Sequence, residues 1–137
     1  VILNAAKGKN VDINVTTFYQ EGGNEEFDKE FKEWINADAT HLANNGGDDT
    51  ISAVSVMGYD AYFVALEAIK AAGSPEPAKV MEALPSVSYT GVTGLIEFDE
   101  TGDAKRDAAF VKKANTETGA WDFVAVQKLA NEEQAEG

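Results

Sequence analysis

The sequence predicts a mixed α/β fold, and two observations carry this prediction. The first third of the chain holds alternating apolar and polar residues followed by helical patterns, and the last third returns to alternation. Segments rich in glycine separate these patterns. We therefore expect a strand, several helices and a C-terminal antiparallel meander within a single α/β unit over residues 1–137.

Composition excludes several classes of protein. The 137 residues carry 24 acidic and 11 basic side chains, which gives a formal net charge of -13. This charge repels phosphate backbones and anionic lipid surfaces, so we expect neither a nucleic acid nor a membrane surface as a partner. Cysteine is absent, which excludes disulfides, thiolate catalysis and Cys-ligated metal centres. No apolar run approaches the roughly 20 residues that span a bilayer.

The segment VDINVTTFY predicts the first strand, over residues 11–19. Val11, Ile13 and Val15 alternate with polar residues, which is the period of a strand with one buried face. The segment QEGGN then supplies loop residues. Asn24 predicts the start of a helix, because its side chain can cap free backbone amides and acidic residues follow it.

The first helical pattern follows this cap. Its apolar residues recur at the spacing of one helix face, which predicts a buried stripe. The stripe consists of Phe27, Phe31, Trp34 and Ile35. The adjacent glycines and Asx residues of NNGGDDT, residues 44–50, end this part of the chain in a turn.

The second helical pattern covers residues 52–74 and predicts the most buried helix. Its apolar face is expected to consist of Tyr59, Tyr62, Leu66 and Ile69. Asp60 is expected to lie to one side of this face, and Gly73 suits the C-terminal cap. The Ser-Pro pair that follows predicts a short third helix over residues 74–84.

Three C-terminal segments return to the strand period. They are GLIEFD, DAAFVKKA and WDFVAVQKL, joined by ETG and NTETGA. We expect them to form the antiparallel meander, over residues 91–129. Residues 130–137 have nothing to bury and are expected to be frayed.

The acidic stretch TGLIEFDETGDAKRD, residues 93–107, is either a metal loop or a turn. An EF-hand loop needs glycine at position six and glutamate at position twelve, yet counting from Asp99 places Ala104 at position six. We therefore interpret the stretch as a hairpin turn with a positive φ at Gly102, in which Asp99 and Asp103 accept bonds from nearby backbone amides. No metal site is expected.

Catalytic and cofactor motifs are also lacking in the sequence. His41 is the only histidine, and no serine lies in a G-x-S-x-G setting that would make it a nucleophile. The glycine-rich segments contain neither G-x-G-x-x-G after a strand nor a phosphate loop. We expect no catalytic residue and no cofactor, although 24 acidic residues always offer carboxylate pairs.

Several longer motifs resemble one family. GYDAYFVALEAIKAAGSPEPAKVMEAL, followed by YTGVTGLIEFDETGDAKRDAAFVKK and an aromatic final strand, resembles the C-terminal part of the branched-chain amino-acid (Leu/Ile/Val) substrate-binding proteins of ABC transporters. These proteins have the type 1 periplasmic binding fold. GKNVDINVTTFYQEG is similar to the family's strand that leads from the second lobe into a hinge. The resemblance covers nearly the whole chain.

The resemblance implies a function and a set of residues. It implies two α/β lobes that close by hinge motion around leucine, isoleucine, valine or a related small amino acid. It also implies an extracytoplasmic location, in the periplasm or at the bacterial cell surface, and delivery of the ligand to the permease of an ABC transporter. Thr17, Phe18 and Tyr19 match the hinge, and Phe18, Tyr19 and Val54 match positions near the ligand.

The resemblance further implies a fragment of a two-lobe protein. Residues 1–19 match a second-lobe strand and hinge, 24–84 the helical part and 91–129 the meander. The family's groups for the ligand carboxylate and ammonium lie upstream, so we expect weak binding and self-association of this chain alone. The alternatives are a ligand-sensing receptor module of the same fold or, less favoured, a hydrolase that uses paired carboxylates.

Overall fold

The structure is a computed structural model that describes residues 2–128. Its helices are α1 (Ile2–Ala6), α2 (Glu25–Asn36), α3 (Ala39–Asn44), α4 (Ala53–Ala72) and α5 (Pro77–Ala83), the last followed by a 3-10 turn at Leu84–Ser86. Its strands are β1 (Asn14–Thr17), β2 (Ser88–Gly91), β3 (Gly94–Phe98), β4 (Ala104–Arg106), β5 (Ala108–Asn115) and β6 (Ala120–Lys128). The predicted α/β class is confirmed.

The described strands form two antiparallel sheets. The first has the order β1-β5-β6, with Thr17 opposite Phe110. The second has the order β2-β3-β4, with Ile96 between Tyr89 and Arg106. We call α1 with the first sheet the sheet half, and α2 to β4 the helical half.

Each half contributes to the core, which consists of two clusters. The first cluster lies where the halves meet and contains Tyr19, Phe27, Ile51, Val56 and Phe110. The second cluster lies inside the helical half and contains Val64, Ala68, Val87 and Ile96. Because β5 supplies Phe110 to the first cluster, burial of apolar surface holds the two halves together.

The predicted strands exist, but their pairing differs from a single meander. GLIEFD forms β3, which pairs with β2 and β4, whereas DAAFVKKA and WDFVAVQKL form β5 and β6 of the other sheet. The ETG turn therefore joins β3 to β4. Strands β2 and β4 were not predicted, because four and three residues are too few to show an alternating pattern.

The first strand is also shorter than residues 11–19. It covers Asn14–Thr17, which is the length that pairs with β5. The chain then leaves the sheet. Residues 129–137, which include the expected frayed tail, lie outside the described residues.

The predicted buried face of α4 is wrong. Tyr59, Tyr62 and Ile69 are 42%, 62% and 38% exposed. The side that is buried instead carries Val56, Asp60, Val64 and Ala68. The reason is tertiary, because β2, β3 and α5 pack against the side of α4 that carries smaller residues.

The helix ends follow local rules more closely. The Asn24 side chain accepts a hydrogen bond from the Phe27 amide at 3.0 Å, and Gly73 ends α4 with a φ of 60°. The third helix begins at Pro77 and not at residue 74, because Glu76 takes the cap position and Pro77 the first turn. In α2, Trp34 of the predicted stripe is 55% exposed.

The acidic stretch forms the predicted turn. Gly102 has a φ of 88°, and the Asp99 carboxylate accepts bonds from the amides of Thr101 and Asp103 at 2.9 and 3.0 Å. The Asp99 carboxylate also accepts a bond from the Thr101 hydroxyl at 2.6 Å. This bond, and after it the amide bonds, lower the pKa of Asp99. The expectation for Asp103 is wrong, because its carboxylate receives the Thr101 hydroxyl at 3.4 Å and not an amide.

No helix within residues 2–128 has the length and apolar character to cross a membrane.

Replacing Gly102 by valine tests this turn. A Cβ there meets no atom within 4 Å, so the change reports backbone conformation and not a clash. We expect Gly102→Val to lower the free energy of unfolding by about 1 to 2 kcal/mol, measured by urea denaturation, because a β-branched residue resists positive φ. The control is Gly58→Ala within α4, which should be neutral or stabilising; equal stability of Gly102→Val and the unchanged chain would contradict the prediction.

Candidate functional site

The chain passes between its two halves at two places. The first crossing follows Thr17, the last residue of β1, and leads into α2. The second runs from Arg106 at the end of β4 to Ala108 at the start of β5. Since β1 and β5 pair, the crossings lie side by side. The family resemblance predicts a hinge at the first crossing and gave no prediction for the second, because β4 was not recognised.

Tyr19 anchors the first crossing. It is 1% exposed, and its ring centre lies 5.9 Å from that of Phe27 and 5.1 Å from that of Phe110. Its hydroxyl donates to the Asp28 carboxylate at 2.5 Å, and the other oxygen of Asp28 accepts from the Gly22 amide at 2.7 Å. Burial, and then the Asp28 carboxylate, raise the pKa of Tyr19. Tyr19 thus acts mainly as a core residue.

Phe18 lies on the first crossing but contacts the second. Its side chain is 50% exposed, and the Arg106 guanidinium lies 5.6 Å from its ring centre. Asp107, between β4 and β5, accepts a bond from the Leu95 amide at 3.3 Å. The second crossing is therefore held to β3 on one side and to Phe18 on the other.

Arg106 is also connected by hydrogen bonds to a buried carboxylate, that of Asp60. Its guanidinium donates to the Thr93 hydroxyl at 2.5 Å, and that hydroxyl donates to Asp60 at 2.6 Å. Asp60, which is 0% exposed, also accepts bonds from the amides of Val92 and Thr93 at 2.9 and 2.8 Å. A Cβ at residue 91 would overlap this carboxylate, so glycine is required at Gly91. These bonds connect α4 to the second crossing.

The sequence missed Asp60 although a signal was present. Asp60 lies four residues from both Val56 and Val64, on the side of α4 that proved to be buried. A charged residue on a buried face needs bonded partners, and the turn GVTG downstream supplies two amides and a hydroxyl.

Val54 is the third residue that the resemblance places near the ligand. It is 75% exposed, at the start of α4, and its amide donates to the cap residue Ser52 at 3.3 Å. Its neighbours Ser52 and Ala53, and not Val54 itself, line the cleft beside Tyr19.

This cleft lies between the two halves and has a volume of about 580 Å³. The helical half and first crossing contribute Tyr19, Gln20, Glu21, Thr50, Ile51, Ser52 and Ala53, and the sheet half contributes Leu3, Lys112, Gly119, Ala120 and Trp121. A volume of this size is typical of small-molecule sites. Thr17, which precedes the first crossing, and Phe18, which lies on it, do not line the cleft.

Two charged residues of the cleft have different surroundings. Glu21 forms an ion pair with Lys32 and accepts a bond from the Ile51 amide at 3.3 Å. The Lys112 ammonium nitrogen lies 4.6 Å from the centre of the Trp121 ring, and burial lowers its pKa.

The other sequence candidate, His41, lies outside this cleft. It belongs to α3, its ring is stacked on Trp34 with centres 4.1 Å apart, and its Nδ1 is 2.9 Å from the Trp34 carbonyl oxygen. Within residues 2–128, no three His, Asp or Glu side chains form a group suited to a metal ion.

Comparisons with known proteins agree with this architecture. A family model described as periplasmic binding protein matches residues 2–119. Among solved structures, the chain is similar to the leucine-binding protein LivK from Thermotoga maritima, with 30% identity and a TM-score of 0.58 over 90% of this chain and 32% of that one. A comparison with curated proteins gives no significant match.

A second solved structure shows the same fold. It is the solute-binding protein of an ABC transporter from R. palustris, in complex with benzoate, with 15% identity and a TM-score of 0.58. The match covers 96% of this chain and 34% of that one. The chain thus spans about a third of the length of the solved structures that it matches.

Replacing Tyr19 by phenylalanine tests the anchor of the first crossing. We expect Tyr19→Phe to lose about 1 to 2 kcal/mol of stability at neutral pH, since the bond to the Asp28 carboxylate disappears. Because the pKa of Tyr19 is raised on folding, the unfolded tyrosine ionises first above about pH 10, and its stabilising contribution is lost there. The stability difference between the two proteins should therefore shrink as pH rises above about 10.

Denaturant unfolding at pH 7 and at pH 10 to 11 measures this difference. The control is Tyr62→Phe, because Tyr62 is 62% exposed and its replacement should give no such pH dependence. An effect of Tyr19→Phe that stays constant with pH would contradict the interpretation.

Replacing Asp60 by asparagine tests the buried carboxylate. An amide group keeps the size of the side chain but offers one oxygen and directs an NH2 group at a backbone amide. We expect Asp60→Asn to cost about 2 to 4 kcal/mol in urea unfolding, because a buried donor loses its partner. The control is Glu67→Gln, a half-exposed residue of α4 that pairs with Lys70 at the surface, and it should change stability by less than about 1 kcal/mol. Equal effects of the two changes would refute the role of Asp60.

Proposed function

This chain belongs to the periplasmic binding protein family, which confirms the resemblance seen in its sequence, and we propose that it is the C-terminal portion of an extracytoplasmic solute-binding protein. The proposed protein captures a branched-chain or other small amino acid and delivers it to the permease of an ABC transporter. The observation that carries the proposal is the 30% identity to a leucine-binding protein over 90% of the chain.

The two crossings support a hinge in this protein. Closure around a ligand needs short connections that can change φ and ψ while the lobes stay rigid. Thr17 is the last residue of β1 that pairs with β5, and the connection to the helical half begins at Phe18. The second connection, from Arg106 to Ala108, passes beside it. We propose that residues 17–19 and 106–108 together form the hinge, with Tyr19 as its fixed end.

The cleft between the halves supports ligand binding. It is bordered by residues from both halves, as a site that closes by hinge motion requires. Tyr19 contributes a wall of the cleft, whereas Phe18 and Val54 are exposed outside its lining, and we propose that they reach a ligand side chain when the halves close. The choice of an amino acid follows the leucine-binding relative, because the benzoate-binding protein shares only the fold at 15% identity.

The proposed protein binds its ligand without chemical conversion. A zwitterion stripped of water needs partners at both of its charged ends. Since this chain spans about a third of its solved relatives, we propose that further partners come from the remaining two-lobe protein. Exposed aromatic residues such as Trp34 and Tyr62 also favour self-association of the chain by itself.

A ligand panel tests this function. The sample is the chain joined to the upstream sequence of its gene, and the measurement is the shift in melting temperature with each small amino acid. At a concentration 100 times the dissociation constant, a ligand should stabilise the protein by about 2.7 kcal/mol. We expect stabilisation by leucine, isoleucine, valine or a relative, and weaker stabilisation of Val54→Ala than of its control Val124→Ala, which is exposed on β6.

Two outcomes would contradict the proposal. The first is a folded protein that responds to no small amino acid. The second is turnover of a chromogenic ester or glycoside that disappears when one carboxylate is replaced, which would favour the hydrolase alternative.

A further inference from the structure

The turn NNGGDDT, residues 44–50, contains a chemically labile pair of residues. Asn45 is the one asparagine of the 137-residue sequence that is followed directly by glycine. The backbone nitrogen of the residue after an asparagine can attack the carbon of its side-chain amide, and a glycine there has no side chain to hinder the attack. Asn45 and Gly46 thus combine a reactive amide with an unhindered backbone nitrogen.

The fold holds this pair in an unreactive arrangement. Asn45 caps the C-terminus of α3, and its Nδ2 donates to the carbonyl oxygens of Asp48 and Thr50 at 2.8 and 2.9 Å. The Gly46 amide donates to the Ala43 carbonyl oxygen at 3.2 Å. Because the attacking nitrogen and the leaving nitrogen are both engaged, the reaction requires that the turn first opens locally.

The turn has the features of a segment that opens readily. Gly46 and Gly47 have φ values of 87° and 91°, and a Cβ at either residue would meet no atom within 4 Å. Residues 44–49 belong to neither core cluster of the described structure. Segments with exposed backbone bonds and few apolar contacts open at a low cost in free energy.

The two bonds from Asn45 also hold one wall of the cleft. Thr50 accepts one of these bonds and lines the cleft. It is followed by Ile51, which belongs to the first core cluster, and by Ser52 and Ala53, which line the cleft as well. A change at Asn45 therefore reaches the start of α4 and the cleft through a few residues of chain.

We propose that Asn45 is a deamidation site whose conversion releases the turn before α4. When the turn opens, the Gly46 nitrogen loses its proton and forms a bond to Cγ of Asn45, and the side-chain nitrogen leaves as ammonia. This step closes a succinimide ring. Water then opens the ring at one of its two carbonyl carbons, which yields aspartate or isoaspartate at residue 45.

The product cannot restore the native bonds. A carboxylate has no hydrogen to donate, so the carbonyl oxygens of Asp48 and Thr50 lose their partner. The new negative charge also lies near Asp48 and Asp49 in the sequence, in a chain whose formal net charge is already -13. Since ammonia is lost to the solvent, the altered turn accumulates as the protein ages.

Peptide mapping by mass spectrometry tests the site. The sample is the chain joined to its upstream sequence, incubated at mildly alkaline pH both folded and in guanidinium chloride. Tryptic cleavage after Lys32 and Lys70 gives one peptide that contains Asn36, Asn44 and Asn45, so two asparagines serve as internal controls. We expect Asn45 to convert faster than both controls, and about tenfold faster or more in the unfolded protein than in the folded one.

Hydrogen exchange tests the consequence of the conversion. Asn45→Asp reproduces one product, and the control Asn44→Asp adds the same charge at the exposed neighbouring residue. We expect the amides of Gly46 and Ile51 to exchange about tenfold faster or more in Asn45→Asp than in the control, because two hydrogen bonds that hold the turn are lost.

Three results would overturn the inference. Conversion of Asn45 at the rate of Asn36 and Asn44 in the unfolded protein would show that the site is not reactive. Equal conversion in the folded and unfolded protein would show that the turn gives no protection. Equal exchange in the two aspartate variants would show that the turn does not depend on the Asn45 amide. Each result leaves the proposed function standing, because solute binding is measured separately by the ligand panel.

Discussion

The buried carboxylate of Asp60 is the interaction on which the helical half depends. It gathers the two amides and the hydroxyl of the turn between β2 and β3, and so fixes the small sheet against α4. Gly91 permits this approach because it lacks a Cβ. The Thr93 hydroxyl also accepts a bond from Arg106, the residue at which the chain leaves the helical half. The hydrogen bonds of the buried Asp60 carboxylate thus help to position the second crossing.

The two crossings are held in different ways. Tyr19 is buried and bonded to Asp28, so the helical end of the first crossing is rigid. Phe18 and Arg106 meet at the surface through a weaker cation–π contact. A movement of the halves would therefore change the surface contact, and it would also require the core cluster around Tyr19 to repack, because Phe110 of the sheet half belongs to that cluster. The cleft opens beside this cluster, so its shape depends on the angle between the halves.

Features that depend on neighbouring residues in the sequence could be predicted. Asn24 caps its helix and Gly102 turns its hairpin, because a short side chain or a missing Cβ decides the backbone locally. Features that depend on distant partners could not. The apolar period of α4 pointed to Tyr59 and Tyr62, yet the sheet packs on another side, where Asp60 is buried.

The sequence by itself determined the α/β class, most helix and strand positions, the first crossing and the family resemblance. Only the tertiary structure decided that the C-terminal strands divide between two sheets, that a second crossing lies beside the first, and that Lys112 and Trp121 share the cleft. The physical reason is the range of the forces involved. Backbone turns and caps act within a few residues, whereas sheet pairing and burial of a charge join residues far apart in the chain.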